Sequence, residues 1–244
     1  MVRFLPLFAL VAVALAQTRH IDVIAHRGEH LRHAENSLPA IEESIRLGAN
    51  YVELDIRITS DGKLVLMHDA RVDRTTKGKG EVAAMTLAEI SALNVPTFEA
   101  ALATARGRIG IYVDVKKAAT ADLLAAIEKY EMLDRVVVYC NPAQAREILA
   151  LKPQVRVMPE AGSAERLRSL IAELKLKVAA FDANDFKEDV IRVAREAGVK
   201  IFVDRLGAAD NEAAWRDAIA RGADGIQTDH PAELIQFLKT FEKP

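Results

Sequence analysis

Short apolar runs alternate with amphipathic segments along most of the chain. The runs Ile21–Ala25, Tyr51–Ile58, Ile109–Val115, Arg135–Tyr139, Val155–Met158, Val178–Phe181, Val199–Val203 and Gly225–Gln227 have strand length. Between them, Ser37–Leu47, Thr97–Ala105, Ala121–Glu131, Glu165–Leu174, Phe186–Ala197 and Asn211–Ala220 place apolar residues at helical spacing. Asn141-Pro142 reads as an N-cap followed by an N1 proline, which starts a further helix. Strand-then-helix repetition predicts a parallel sheet covered by helices. Eight such strands favour a (β/α)8 barrel over an open sheet.

A weak internal echo agrees. "RLGANYVELD", "REAGVKIFVD" and "ARGADGIQTD" each run from a helix end through glycine and strand to an acid. Gly48, Gly198 and Gly222 suit the left-handed position that ends a helix. Acids fall at or near strand ends at Asp55, Asp114, Glu160, Asp182, Asp204 and Asp229, where barrel enzymes place their chemistry. An acid after a strand also serves as the N-cap of the next helix, and for Asp182, Asp204 and Asp229 that reading is preferred.

One segment breaks the rhythm. The extra strand Leu64–His68 is followed by an insertion over about residues 70–96, beside the predicted barrel mouth. Its "TTKGKGEV" is polar and basic, without the spacing of a phosphate-binding P-loop, and reads as a solvated turn.

Alternation within the strands locates candidate chemistry. In Tyr51–Ile58, Val52, Leu54, Ile56 and Ile58 share the face that meets helices; Tyr51, Glu53, Asp55 and Arg57 share the face that looks into the barrel. In Ile109–Val115 the inward face carries Tyr112 and Asp114, and Lys116 continues it. Glu53, Asp55 and Asp114 would repel one another if buried unpaired. Two arrangements relieve this. One is a hard, all-oxygen site for Mg2+ or Ca2+; the other is a metal-free salt-bridge network with Arg57 and Lys116. His26 and His68 end strands at the same mouth and suit proton transfer near neutral pH. Arg27 offers a planar fork for phosphate or carboxylate, and Lys116 a second positive charge. Together these groups describe a site for an anionic ester. His30 and His33 read as surface residues.

Composition narrows the classes. Half of the 244 residues are hydrophobic, enough for one sizeable core. A formal net charge of -2 leaves no basic footprint for nucleic acid. Aromatics at 5% argue against a site built on ring stacking. Cys140 is the only cysteine, so no intramolecular disulfide can form. The start "MVRFLPLFALVAVALAQT" has a basic n-region, a short apolar run and an A-x-A site. It predicts a signal peptide over residues 1–16, export to the periplasm or medium, and one mature domain over 17–244 with no lasting membrane anchor. An uncleaved anchor is the alternative.

The pieces "AHRG", "ENSLPAI", "GANYVELDIRITSDGKLVLMHD", "RTTKGKGEV", "VPTFEAAL", the "DVK" of the third strand and "GADGIQTDHP" together resemble the glycerophosphodiester phosphodiesterase family, over about residues 23–235. The resemblance implies a (β/α)8 barrel of the phospholipase C-like phosphodiesterase type, with a short insertion after the second barrel strand. It implies one divalent metal, Ca2+ or Mg2+, held by Glu53, Asp55 and Asp114. It implies His26 and His68 as general acid and base, with Arg27 and Lys116 on the phosphate. The expected partner is a small glycerophosphodiester, cleaved to sn-glycerol 3-phosphate and an alcohol through attack by the neighbouring substrate hydroxyl. Two departures stand out: the family usually has glutamate at Asp114, and often tryptophan in the region of Phe202. Three rival readings stay open. A phospholipase D-type enzyme on lysophospholipids or sphingolipids would need an apolar channel. A glycosidase would not need the two histidines. A non-catalytic phosphoester-binding module would be expected to have lost a histidine or an acid.

Overall fold

The computed structural model describes residues 20–241; the predicted signal peptide lies outside them. The chain runs β1 (Asp22–Ala25), α1 (Leu38–Leu47), β2 (Tyr51–Ile58), β3 (Leu64–Leu66), α2 (Leu87–Ser91), α3 (Phe98–Ala105), β4 (Gly110–Val115), α4 (Thr120–Lys129) and β5 (Val136–Tyr139). It continues through α5 (Pro142–Leu151), β6 (Arg156–Val157), α6 (Ala164–Leu174), β7 (Val178–Phe181), α7 (Glu188–Glu196), β8 (Lys200–Arg205), α8 (Glu212–Ala220), β9 (Gly225–Thr228) and α9 (Pro231–Phe241). Helix starts follow their caps. Ser37, Thr97, Asn141, Ser163 and Asn211 each accept a backbone N–H of the following first turn. Gly48, Gly198 and Gly222 take φ of 86°, 66° and 93°, as the left-handed helix ends require.

The strands pair in the order β6-β5-β4-β2-β1-β9-β8-β7, all parallel, with β3 antiparallel on β2. The ring nearly closes. Between β6 and β7 the contact is a single bridge, Glu160 to Ala180, with the Ala161 N–H donating to the Ala180 carbonyl at 2.9 Å. This is the expected eight-stranded barrel.

Alternation divides its core in two. Val52, Leu54, Ile56, Ile111 and Val113 face outward and pack with Ile41, Phe98, Leu102 and Leu123 of the helices. Inside, Ile24, Tyr112, Val137, Met158, Val178, Ala180 and Phe202 fill the lumen. Phe202 stands edge-on to Tyr51, with ring centroids 5.7 Å apart. With the lumen plugged by these side chains, the inward polar residues one level higher gather at the C-terminal mouth.

Within the insertion, residues 75–81 are exposed or half-buried and mostly turn and bend, as expected, and the rest of it is organised around them. Val65, Met67, Val72, Val82, Ile90 and Val95 form a separate small core beneath it. Its helix α2 opens with a capping box between Thr86 and Glu89. α9, which lies outside the helical segments predicted above, buries Leu234, Phe237 and Leu238.

The helix-cap reading fails at all three acids. Asp182 accepts the N–H groups of Asn184 and Asp185, closing a turn, while Lys187 holds the N-cap position of α7. Asp204 is followed by a 3-10 turn whose N-cap is Leu206. Asp229 turns to the mouth instead, as described below.

Candidate active site

The Arg27-Gly28 turn after β1 sets the floor of the mouth. Arg27 has φ 53° and Gly28 φ 79°. A β-carbon on Gly28 would lie 2.7 Å from that of Ala40, so this backbone seats directly on α1. The seating aims the Arg27 N–H at Glu53 Oε2, 2.8 Å away.

The three predicted carboxylates converge. Glu53, Asp55 and Asp114 each offer an oxygen within 4.8 Å of the others. The register that pairs Asp55 with Asp114 across β2 and β4 brings them there. Lys116 Nζ lies 2.6 Å from Asp114 and 3.2 Å from Asp55; Arg27 Nε lies 3.5 Å from Asp55. Arg57, a member of the metal-free alternative, forms no ion pair with these acids among the described residues. Its Nε and Nη2 donate to the His68 carbonyl at 2.9 and 2.7 Å. Positive charge is short as a result. Burial, then Asp55 and Asp114, push Glu53 well above the carboxylate range. Burial also raises Asp114 despite Lys116. An all-oxygen donor set with uncompensated charge fits a hard divalent cation.

Both predicted histidines flank the acids, and each is held the same way. His26 Nδ1 lies 2.7 Å from Asp229 Oδ1, and His68 Nδ1 lies 2.7 Å from Asp69 Oδ1. Asp229 is lowered to about 2: burial would raise it, and the His26 hydrogen bond, the Gly207 N–H and the charges of His26 and His30 together outweigh that. Arg74, then His68, hold Asp69 well below the usual range. Both acids are therefore ionised and accept an Nδ1–H. This leaves each Nε2 as the nitrogen for proton transfer. His26 Nε2 stands 4.0 Å from Glu53.

Several residues at the mouth escaped the sequence. Asp229 is one, and Asp210 fixes it by accepting the Asp229 N–H at 2.5 Å, along with Thr228 Oγ1 and Trp215 Nε1. Asn36 is another: its Nδ2 donates to Asp55 Oδ2 at 2.7 Å while its Oδ1 accepts the Asp55 N–H. The "ENSLPAI" stretch contained it, without a sign of which strand it served. His30 is only partly exposed and donates from Nδ1 to the His26 carbonyl at 2.8 Å, so it is not a surface residue. His33 is exposed, as expected.

The far wall is also acidic. Asp204 faces the lumen on β8, and burial, then Asp182 and Asp114, raise it from 3.8 to about 7. Asp185, mainly through burial, rises to about 6. Between about pH 4 and 7 the native state then binds more protons than the unfolded chain, so stability falls as pH rises. Asp204 alone contributes at most about 4 kcal/mol to this fall. With chelator present, Asp204→Asn is expected to become increasingly more stable than the parent from pH 5 to pH 8 in urea titrations. A difference that stays constant over that range would show that Asp204 ionises normally.

Comparison with known proteins places this arrangement. The model of the glycerophosphoryl diester phosphodiesterase family matches residues 26–158, a stretch that includes all seven predicted site residues. Glycerophosphodiester phosphodiesterase of Caldanaerobacter subterraneus subsp. tengcongensis is 28% identical over 244 residues, covering 89% of this chain and 97% of that protein. Glycerophosphodiester phosphodiesterase 1 of Mus musculus is 39% identical over a shorter span, 45% of this chain and 37% of that protein. The solved glycerophosphodiester phosphodiesterase of Agrobacterium tumefaciens superposes with a TM-score of 0.78 at 26% identity, covering 88% of this chain and 99% of that one. A glycerophosphoryl diester phosphodiesterase of Parabacteroides distasonis shares the fold with a TM-score of 0.82 at 23% identity, over 93% of this chain and 88% of that one.

Proposed function

Because this chain belongs to the glycerophosphoryl diester phosphodiesterase family, we propose that it hydrolyses glycerophosphodiesters to sn-glycerol 3-phosphate and an alcohol, using His26 and His68 as its proton-transfer pair. The observation that carries this reading is the convergence of two acid-held histidines on one mouth with Glu53, Asp55 and Asp114. Arg27 and Lys116 bring positive charge to the same place and receive the phosphate oxygens. One histidine takes the proton of the neighbouring substrate hydroxyl as its oxygen attacks phosphorus. The other gives a proton to the departing alcohol oxygen. The resulting cyclic phosphate is opened by water with the two roles reversed. Glu53, Asp55 and Asp114 would hold Ca2+ or Mg2+, which supplies Lewis-acid charge stabilisation when bound. Asp114 is one methylene shorter than the usual glutamate, and Lys116 bonded to it steadies that shorter arm.

The test is product analysis with several head groups. The protein is expected to release sn-glycerol 3-phosphate from glycerophosphodiesters of different alcohols. Cleavage of a lysophospholipid, with none of these diesters turned over, would favour the phospholipase D-type reading instead.

A further inference from the structure

The insertion touches the site through Arg74, to which the proposed chemistry gives no role. Its guanidinium lies between two carboxylates. Nη1 and Nη2 donate to Glu35 at 2.7 and 2.8 Å; Nε and Nη2 donate to Asp69 at 2.7 and 3.1 Å. Each carboxylate also holds a predicted site residue. Glu35 accepts Arg27 Nη1 at 3.1 Å, and Asp69 accepts His68 Nδ1–H at 2.7 Å. Arg27, Glu35, Arg74, Asp69 and His68 thus form one unbroken run of hydrogen bonds across the mouth.

We propose that Arg74 is a positioning residue that orients the phosphate-binding Arg27 and the proton-transferring His68 together, so that the insertion sets the geometry of both. This rests on the functional reading above. Among the described residues, the bond to Glu35 is the only side-chain hydrogen bond of the Arg27 guanidinium; Nε makes none and faces Asp55 as an ion pair at 3.5 Å. Glu35 therefore sets the direction of the Nη end of that fork, with Asp55 behind it. Glu35 makes two bonds to Arg74 and one to Arg27. On the other limb, Asp69 fixes the His68 tautomer, and Arg74 fixes Asp69. An arginine suits the position because its planar fork serves two carboxylates at once, which a lysine ammonium does with less directional control. The carboxylates behave accordingly: Glu35 is lowered even though burial alone would raise it, and Asp69 is lowered chiefly by Arg74.

Four variants separate the limbs. Glu35→Gln weakens the Arg27 limb and is expected to raise KM roughly tenfold with kcat little changed, the pattern of lost uniform binding. Asp69→Asn weakens the His68 limb and is expected to lower kcat roughly tenfold or more at similar KM. Arg74→Met is expected to do both, and Arg74→Lys to recover part of each. A second readout does not depend on turnover. Nitrogen NMR of the His68 imidazole should show the Nδ1–H tautomer in the parent and in Glu35→Gln, and a tautomer mixture in Asp69→Asn and Arg74→Met. If the parent cleaves no glycerophosphodiester yet this NMR pattern holds, the functional reading fails and the His68 coupling stands. The proposal is overturned if Arg74→Met lowers the melting temperature while kcat, KM and the tautomer all stay at parent values, for Arg74 then only anchors the insertion. It is equally overturned if all variants lose kcat in proportion to melting temperature.

Discussion

Removal of divalent cations is expected to lower glycerophosphodiester hydrolysis by on the order of 10³-fold, with Ca2+ or Mg2+ restoring it. The reason lies in the charge balance of the mouth. Glu53 and Asp55 are almost fully buried, and Asp114 is mostly so. The cations paired with them are Lys116 and Arg27; Arg57, the third candidate, lies within reach of their charge but gives its hydrogen bonds to the His68 carbonyl. Burial, and then Asp55 and Asp114, raise Glu53 well above its ordinary range. A phosphodiester would add a further negative charge to that surplus, so substrate binding and bond breaking both need a counter-ion. The measurement is sn-glycerol 3-phosphate release after chelation and after repletion with each ion. Full activity in protein shown by elemental analysis to be metal-free would mean that Lys116 and Arg27 suffice. Glu53→Gln should mimic chelation, because it removes the charge of a proposed ligand while its remaining oxygen can still accept the Arg27 N–H.

His68→Ala is expected to lower kcat by roughly 10²- to 10⁴-fold while KM changes little. His68 is the more exposed of the two histidines, its side chain 36% accessible against 15% for His26. Its loss should therefore disturb packing less, and an unchanged melting temperature would confirm that the lost rate is chemical. The imidazole is held only at Nδ1, which leaves Nε2 without a partner among the described residues. Added imidazole should recover part of the rate. A variant that keeps parent kcat would remove His68 from the mechanism and leave His26 as the sole proton carrier.

Part of this was legible in the chain because it is local. A two-residue period in Tyr51–Ile58 is enough to put Glu53 and Asp55 on the inner face, and the same period places Asp114. The helix caps at Ser37, Thr97, Asn141 and Asn211 are equally local, each settled within three or four residues. The missing parts are settled by partners far away in sequence. Asp229 looks like any acid before a helix until β9 lies beside β1, which brings it 203 positions back to His26. Asn36 depends on a left-handed loop residue, φ 55°, that no apolar pattern records. Arg74 sits in a polar turn, and its partner Glu35 is 39 positions away. The reach of Arg57 to the His68 carbonyl depends on how β3 folds back on β2. α9 is a different case: Leu234, Phe237 and Leu238 stand at helical spacing, a signal as local as that of the other helices.

The pairing of β1 with β9 also fixes when activity can arise. His26 directly follows β1 and Asp229 directly follows β9, so their union waits until these two strands pair. A nascent polypeptide emerging residue by residue holds the arginine, the lysine, the three acids and both imidazoles long before it holds the carboxylate that orients His26. Until the final strand docks, that imidazole has no fixed tautomer. Under the role proposed for His26, catalytic competence switches on with ring closure rather than building up gradually, and a chain cut short before β9 would lack the carboxylate that holds that imidazole.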